Sequence, residues 1–305
     1  MQRIGLIGLG NIGKFYAERL RQHGYPLTVL DLDAARVAYA VGLGAQAAAS
    51  PGEVARQSAI ILLSLPGSHA VEQVMEGPDG LLAHLQAGQV VVDTGTSRPE
   101  TDIHYARRCQ ALGAAFLDAP LTYRRQGQII MVGGAREDFA RVEPVLTCLS
   151  YKLRHVGDVG EGQVLKLINQ AVLAGRLAVY AEAVELAKVH QIDPRLLKEF
   201  LEFDIPEDLF GDDFSGGGHL ALHYKDLGYL LELAHASGAQ IPISSLVHEI
   251  FKTSKLYGAA NWKQPGIITY WRRLNPAPAN GTPSGQDGAA QTSRPPASHP
   301  KHTNE

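Results

Sequence analysis

One apolar helical segment contains a lysine and two amides on the same turn. The segment GDVGEGQVLKLINQAVLAG, at 157–175, has Lys166, Asn169 and Gln170 among Val, Leu, Ile and Ala residues. At 3.6 residues per turn these three share one helical face, so Lys166 and Asn169 can point together into a cleft. A lysine whose pKa is lowered by a partly apolar site can exchange a proton with a substrate hydroxyl. The alternative interpretation is a surface lysine whose alkyl chain lies along the helix.

A second candidate site lies at the start of the chain. The motif GxGxxG follows the apolar run RIGLI and opens a helical pattern near Ile12; it spans Gly8, Leu9, Gly10, Asn11, Ile12 and Gly13. Glycines allow a tight turn and a close backbone approach, and a helix N-terminus presents free N–H groups to a pyrophosphate. The motif and its context therefore predict dinucleotide binding, and the alternative is a glycine-rich turn without a ligand.

Asp31 indicates which dinucleotide is bound. It ends the next apolar run, LTVLDLD, where a carboxylate can accept hydrogen bonds from the adenosine ribose hydroxyls. The same charge would repel a 2′-phosphate, and the next basic residue along the chain is Arg36. NAD is therefore predicted in preference to NADP.

Two kinds of segment must position these residues. Short, continuously apolar runs alternate with helical patterns in the first half of the chain: RIGLIGL, LTVLDLD, AIILLSL, QVVVDTG, AAFLDAP and QIIMVGG. Such runs are typical of strands buried on both faces of a parallel sheet. After Gly160 only helical patterns follow. We predict an α/β Rossmann-type domain at 1–160, joined by a long helix to an all-α domain at 161–274.

The remaining residues, 275–305, are predicted to form a disordered tail. They are rich in Pro, Gly, Ser, Thr, Ala, Asn and Gln and contain no aromatic residue. Such a segment cannot bury enough apolar surface to offset the entropy lost on ordering.

Composition restricts the possible partners. The 305 residues are 45% apolar and carry a formal net charge of −3, which gives no basic surface for nucleic acid or an anionic membrane. The longest apolar run, AIILLSL, is too short to span a bilayer, and the N-terminus has no signal-peptide pattern, so we expect a cytoplasmic protein. Cys109 and Cys148 suggest neither a disulfide framework nor a zinc site.

A metal site is not expected either. His219 and His223 have the i, i+4 spacing of a possible ligand pair, with Asp212 and Asp213 just upstream. No nearby Glu pattern completes a catalytic metal motif, and proton exchange by a lysine needs no metal.

Several stretches together resemble the β-hydroxyacid dehydrogenases, which include 3-hydroxyisobutyrate dehydrogenase, tartronate semialdehyde reductase and, more distantly, 6-phosphogluconate dehydrogenase. The resembling stretches are IGLIGLGNIG (4–13), LP (65–66), VDTGTSRP (92–99), FLDAP (116–120), IIMVGG (129–134), GEGQVLKLINQ (160–170) and KDL (225–227). Together these stretches extend over nearly the whole chain before the tail, and their order and spacing support the resemblance. The resemblance implies a Rossmann domain followed by a helical domain, in a homodimer or homotetramer.

The resemblance also implies roles for single residues. Lys166 matches the catalytic acid/base and Asn169 the asparagine that orients substrate. Thr96 matches a residue at the nicotinamide end of the cofactor, and Lys225 a lysine that closes over the cofactor. Leu65 and Pro66 match the loop beside the adenosine ribose.

Two positions of the resembling stretches are less definite. Asp226, next to Lys225, is open to a functional role or a place on the helix surface. An asparagine that is frequent after the LP loop is replaced by Ala70 or a neighbour, which puts one cofactor contact in doubt.

The largest departure from the family follows DAP. The family continues with Val, Ser and two glycines that cradle the substrate carboxylate, whereas this chain has LTYRRQG. Thr122 can replace the serine hydroxyl, while Tyr123, Arg124 and Arg125 add bulk and charge. Either this loop is a degenerated surface turn, or an arginine now binds the anion with its planar guanidinium. The segment between Pro194 and Lys225 is also shortened, so the pocket wall should differ.

We therefore predict an NAD-dependent 3-hydroxyacid dehydrogenase or semialdehyde reductase that acts on a small anionic β-hydroxy acid. One alternative is an imine or keto-acid reductase on the same scaffold. Another is a non-catalytic NAD-binding regulatory or scaffold protein with an altered substrate loop. Lys166 and Asn169 favour an enzyme, because a protein that only binds NAD does not need them.

Overall fold

The computed structural model describes residues 2–217, 219–257 and 261–275. Residues up to Asn275 form one compact unit. The predicted disordered tail, apart from residue 275, lies outside the described residues.

A nine-stranded sheet organises the first part of the described chain. Its strands are β1 (Ile4–Ile7), β2 (Leu27–Leu30), β3 (Gln46–Ala47), β4 (Ile60–Leu63), β5 (Val90–Asp93), β6 (Ala115–Asp118), β7 (Leu121–Arg124), β8 (Gly127–Gly133) and β9 (Lys152–Gly157). The order is β3-β2-β1-β4-β5-β6-β8-β7, and β9 also pairs with β8. The first six strands in this order are parallel, while β8 is antiparallel to both β6 and β7. The predicted parallel α/β fold is confirmed, with an antiparallel extension at one side.

The apolar runs identified in the sequence form six of these strands. β1, β4 and β5 are buried along their whole length, as expected for strands covered on both faces. The runs did not predict β3, β7 or β9. β3 consists of only two residues, both exposed, and β7 ends in exposed polar positions. Neither strand therefore has a continuous apolar pattern.

Helices follow most strands and cover the sheet. They are α1 (Asn11–Gln22), α2 (Ala34–Gly42), α3 (Pro51–Gln57), α4 (Ser68–Glu76), α5 (Pro99–Ala111) and α6 (Arg136–Leu149). Two apolar cores result. One contains Tyr16 and Leu20 of α1, and the other contains Met75 of α4 and Tyr105 of α5.

Helices alone form the regular structure of the described residues after β9. They are α7 (Glu161–Val189), α8 (Leu196–Glu199), α9 (His219–Ser237), α10 (Pro242–Tyr257) and α11 (Thr269–Leu274), with short 3₁₀ segments at Glu207–Phe210 and Gln264–Ile268. They surround a third apolar core that includes Leu167, Ala181, Leu227 and Phe251. The predicted change from an α/β sheet to helices is confirmed.

The long helix α7 joins the two parts. By length and composition it is the one described helix that could cross a membrane, which is weak evidence because core helices of globular proteins pass the same test. In this structure its buried face contributes Leu167, Ala174, Ala181 and Val184 to the helical core. Its first turns pack on the sheet beside β6 and β8. We therefore interpret α7 as a core helix.

Candidate active site

The glycine motif forms the turn between β1 and α1. Gly8 has φ +94°, and a Cβ added there would lie 2.3 Å from the Ser64 carbonyl oxygen. A Cβ at Gly13 would lie 1.9 Å from the Gly8 carbonyl oxygen. Both positions require glycine, because a side chain would force the turn away from β4 or from α1. Gly10 caps α1 without a side-chain hydrogen bond, which leaves the first helical turn available to an anion.

Asp31 lies beside this turn, at the carboxyl end of β2. Its Oδ2 accepts a 2.5 Å hydrogen bond from the Leu9 N–H, and its Oδ1 accepts one of 2.8 Å from the Asp33 N–H. Arg36 is closer than the sequence suggested: its Nη1 is 3.9 Å from Asp31 Oδ2 because α2 begins only three residues later. Arg36, the next basic residue along the chain, is thus a neighbour of Asp31 in the structure.

Lys225 of α9 connects the loops that follow β4 and β5. Its Nζ donates to the Pro66 carbonyl (2.7 Å) and to the Thr96 carbonyl (2.6 Å). The Leu65 carbonyl lies against the second loop, only 2.6 Å from where a Cβ at Gly95 would be. The structure thus brings Leu65, Pro66, Thr96 and Lys225 close together. The resemblance assigned Thr96 to the nicotinamide end of the cofactor and Leu65 and Pro66 to the adenosine-ribose side.

The start of α7 is held tightly against β6. Asp118 accepts 2.7 Å hydrogen bonds from the backbone N–H groups of Gly160 and Gln163, so it caps the helix. A Cβ at Gly162 would lie 2.6 Å from Asp118 and 2.7 Å from the Met131 carbonyl oxygen, which explains the glycine at this helical position. One turn later the chain reaches Lys166, whose position therefore depends on this contact.

Lys166 is a buried cation. Only 8% of the residue is exposed. Burial lowers its pKa from 10.5 to about 8; the nearby Asp226 raises the pKa, and Lys225 and Arg124 lower it further. Within the described parts of the chain, no carboxylate lies within ion-pair distance of its ammonium group. Such a lysine is present in both protonation states near neutral pH.

Asn169 connects Lys166's face of α7 to the strand β7. Its Nδ2 donates to Thr122 Oγ (3.2 Å), and its Oδ1 accepts a 2.9 Å hydrogen bond from Arg124. Arg124 also donates to Thr122 Oγ at 3.1 Å. Because side chains alternate along a strand, Thr122 and Arg124 lie on the same side of β7. The segment predicted to be a loop is thus one strand of a hairpin with β8, and the loop interpretation was wrong.

The other two residues proposed from this segment are placed elsewhere. The Tyr123 hydroxyl accepts a 2.8 Å hydrogen bond from Gln128, on the opposite side of β7. Arg125 lies in the turn with 91% side-chain exposure and is 3.4 Å from Asp204. Of the two arginines, Arg124 is the one that the fold brings to Asn169.

One interpretation of the sequence placed Asp226 on the helix surface, and that interpretation was wrong. Asp226 is 5% exposed, and its Oδ2 accepts a 2.6 Å hydrogen bond from Gln170. The Gln170 carbonyl in turn lies 3.1 Å from His223 Nε2, so the buried His223 is part of this packing. No group of three or more potential metal ligands occurs among the described residues. The sequence marked Gln170 by its spacing with Lys166, but nothing in the sequence indicated that it meets Asp226 and His223.

Comparisons with known proteins identify the family. A family model for the NAD-binding domain of 6-phosphogluconate dehydrogenase matches residues 3–157. A second model, for the NAD-binding region of NADP-dependent 3-hydroxyisobutyrate dehydrogenase, matches residues 160–271. The 2-(hydroxymethyl)glutarate dehydrogenase of Eubacterium barkeri is 31% identical over 294 residues, covering 92% of this chain and 98% of that protein. This chain belongs to the β-hydroxyacid dehydrogenase family.

Another relative in this family is the 3-hydroxyisobutyrate dehydrogenase of Pseudomonas aeruginosa, which is 32% identical over 88% of this chain and 96% of its own length. The solved structure of Mycobacterium tuberculosis 3-hydroxyisobutyrate dehydrogenase with L-serine has a TM-score of 0.79. It covers 89% of this chain and 99% of that one at 24% identity, which supports the fold alone. As a β-hydroxyacid dehydrogenase, the protein is an NAD(P)-dependent oxidoreductase acting on CH–OH groups.

The described residues fit the NAD cofactor of this family. The turn at Gly8 leaves no side chain between the backbone and a ligand, and the uncapped start of α1 suits a pyrophosphate. Asp31 retains acceptor capacity for ribose hydroxyls, since each of its carboxylate oxygens accepts one hydrogen bond from a backbone N–H and can accept a second.

Proposed function

We propose that this protein interconverts a small β-hydroxy acid and its semialdehyde, with Lys166 as the acid/base. The observation that carries the proposal is the buried Lys166, next to the hydrogen-bonded group of Thr122, Arg124 and Asn169. These are the groups that a hydroxyl and a carboxylate on neighbouring carbons would need.

Bound NAD would supply the acceptor for the hydride that leaves the substrate carbon, or the donor in the reverse direction. In oxidation, the neutral Lys166 amine takes the hydroxyl proton while the hydrogen on the same carbon leaves as hydride, with the C–H bonding pair. In reduction, the ammonium form returns that proton to the forming alkoxide. A pKa near 8 suits both directions, because neither protonation state of Lys166 is rare near neutral pH.

Arg124 and Thr122 are proposed to hold the acid group of the substrate. Arg124 has its guanidinium within hydrogen-bond distance of both Asn169 and Thr122, so it lies on the same side of the cleft as the lysine. A planar guanidinium binds a carboxylate through two parallel N–H donors. Asn169 would then orient the substrate from the neighbouring turn of α7.

Leu65, Pro66, Thr96 and Lys225 are proposed to hold the cofactor together with the glycine turn and Asp31. The Lys225 ammonium donates to the carbonyls of Pro66 and Thr96, which fixes the distance between the two loops. Thr96 is assigned to the nicotinamide side because its loop leads towards the start of α7. Leu65 and Pro66 are assigned to the adenosine-ribose side.

A substrate panel tests the proposal directly. The panel contains 3-hydroxyisobutyrate, 2-(hydroxymethyl)glutarate, L-serine and the neutral amides of these acids, with NADH formation followed by absorbance. We expect oxidation of at least one acid and much weaker oxidation of its amide. Equal rates for an acid and its amide would contradict recognition of an anion, and no turnover of any compound with NAD would contradict the proposed substrate class.

A further inference from the structure

Three aspartates are buried together behind the nicotinamide-side loop. Asp93 ends β5, Asp102 lies in α5 and Asp118 ends β6, and each side chain is completely buried. Burial raises the pKa of Asp118 to about 6, while it raises the pKa of Asp102 well above its usual range. The proton-transfer steps described above use none of the three.

Asp93 and Asp102 lie close enough together for each to act on the pKa of the other and for a hydrogen bond between their side chains. Two ionised carboxylates cannot form such a bond, because neither has a hydrogen to donate. A hydrogen bond between them therefore needs one proton, which would also remove the repulsion between two buried negative charges.

The remaining contacts locate that proton. Asp93 accepts hydrogen bonds from the Gly95 N–H (2.8 Å) and the Ser97 hydroxyl (2.6 Å), and the positive charge of Lys225 also favours its ionised form. Asp102 accepts a 2.9 Å hydrogen bond from Gln163 on its Oδ2. Its Oδ1 is buried and has no donor within the described part of the chain. Asp102 is thus the member of the pair that favours the acid form.

Gln163 connects this acid pair to the Thr96 loop and to α7. Its Oε1 accepts from the Ser97 N–H (3.2 Å), and its Nε2 donates to the Gly95 carbonyl (3.2 Å) and to Asp102. Gly95 and Ser97 flank Thr96, while Gln163 lies three residues before Lys166 on α7. One amide side chain therefore spans the Thr96 loop and the helix that carries the lysine.

We propose that Asp102 is protonated and donates a hydrogen bond to Asp93. Through Gln163, this acid pair holds the Thr96 loop in a fixed position relative to Lys166. Asp102 and Gln163 are positioning residues in this proposal, since neither is placed in contact with substrate. The positioning role rests on the proposed function, because it assumes that Lys166 transfers the proton.

The protonation of Asp102 is tested without any assay of activity. Infrared difference spectra of wild type and Asp102→Asn at pH 7 should show that the substitution removes a carbonyl band of a protonated carboxylic acid. Asp138→Asn, on α6, is the control and should remove no such band. An unchanged band in Asp102→Asn, or no acid band in wild type, would overturn the proposal even if the protein proves to be a hydroxyacid dehydrogenase.

Stability against pH gives a second test. A raised folded-state pKa means that the contribution of Asp102 to stability is complete below about pH 3.9 and is lost as the pH rises through the folded-state value. The charged groups that act on the pair are Asp118 from β6 and Lys225 from α9. We expect the urea midpoint to fall less between pH 5 and pH 8 in Asp102→Asn than in wild type, and equal slopes would contradict the protonated form.

Kinetics test the positioning role. In Asp102→Asn the amide can donate to Asp93 and accept from Gln163, so kcat should stay within about threefold of wild type. In Asp102→Leu and Gln163→Leu we expect kcat to fall about tenfold or more, with the Kd for NADH changed less than about threefold. A low kcat in Asp102→Asn, or normal kcat in a folded Gln163→Leu, would overturn the positioning role.

Discussion

Arg124 donates a 2.9 Å hydrogen bond to Asn169, which lies one helical turn after Lys166 on α7. This contact joins a hairpin strand of the sheet to the helix that carries the buried lysine. Neither partner is close to the other in sequence, and the neighbouring Arg125 does not share the contact, since it pairs with Asp204 instead. The two arginines therefore form a matched pair for testing how the acid group is bound.

Replacing Arg124 by alanine should weaken recognition of the anion. If the guanidinium binds a desolvated carboxylate, Arg124→Ala should lose about 2–4 kcal/mol in kcat/KM, mainly through a higher KM. Arg125→Ala is the control, and it should stay within about threefold because its side chain is exposed. Steady-state kinetics on the best acid of the panel measure both, and a loss of less than about threefold in Arg124→Ala would place the anion site elsewhere.

Replacing Lys166 should affect chemistry more than cofactor binding. Lys166→Ala should reduce kcat by roughly two to four orders of magnitude, the range expected for the loss of a general acid/base. NADH affinity, measured by fluorescence titration, should remain near that of wild type. Lys252→Ala, on the exposed side of α10, is the control. Activity of Lys166→Ala within a few-fold of wild type would show that another group moves the proton.

The pH dependence should follow the state of Lys166. Oxidation needs the neutral amine, so kcat/KM for the hydroxy acid should rise with pH and level off above about 8. Reduction needs the ammonium form and should decline over the same range. Because Asp226 raises the pKa of Lys166, Asp226→Asn should move both midpoints to lower pH. Glu249→Gln, on α10, should leave them in place; a shift to higher pH in Asp226→Asn would contradict this electrostatic account.

The sequence predicted those features that depend on local periodicity. The buried parallel strands followed from continuous apolar runs, and the shared face of Lys166 and Asn169 followed from the helical repeat. The strand β7 could not be predicted in this way, because LTYRRQ has neither a continuous apolar run nor a turn signal before Gly127. Its alternation places Thr122 and Arg124 together only once β8 pairs with it.

Contacts between segments that are distant in sequence could not be predicted either. Asp102 and Gln163 are 61 residues apart, and nothing in either segment alone shows that they meet. Arg36 illustrates the same limit at short range, since the turn into α2 returns its guanidinium to Asp31. Such contacts depend on how elements pack, and a single sequence contains no direct signal for that packing.

Asp31 should determine the cofactor preference. We expect a higher kcat/KM with NAD than with NADP, because the carboxylate accepts ribose hydroxyls and repels a 2′-phosphate. Asp31→Asn keeps an acceptor but removes the charge, so the NADP to NAD ratio of kcat/KM should rise roughly tenfold or more. Adding Arg36→Ala should reverse part of that gain, since Arg36 is the cation beside the site. A wild-type preference for NADP would contradict the assignment.

The last prediction concerns three side chains of α9 that contact the loops after β4 and β5. Lys225 donates to the Pro66 and Thr96 carbonyls, the Tyr229 hydroxyl accepts from the Ser68 N–H at 3.3 Å, and Glu232 pairs with Arg98. The spacing of the three residues on α9 puts them on one helical face. We call this group the α9 clasp, and we expect it to slow the release of NADH.

Glu232→Gln is the most informative variant of the α9 clasp. Its partner Arg98 also lies over the Tyr229 ring, 4.4 Å from the centroid, so loss of the ion pair should loosen both contacts. The pair is exposed, so the NADH dissociation rate should rise only about two- to fivefold at low ionic strength and less in high salt. Removing a negative charge would by itself favour an anionic cofactor, so faster release would have to come from the clasp. Stopped-flow fluorescence measures the rate, with Glu249→Gln as the equal-charge control, and slower or unchanged release in Glu232→Gln would rule out this role.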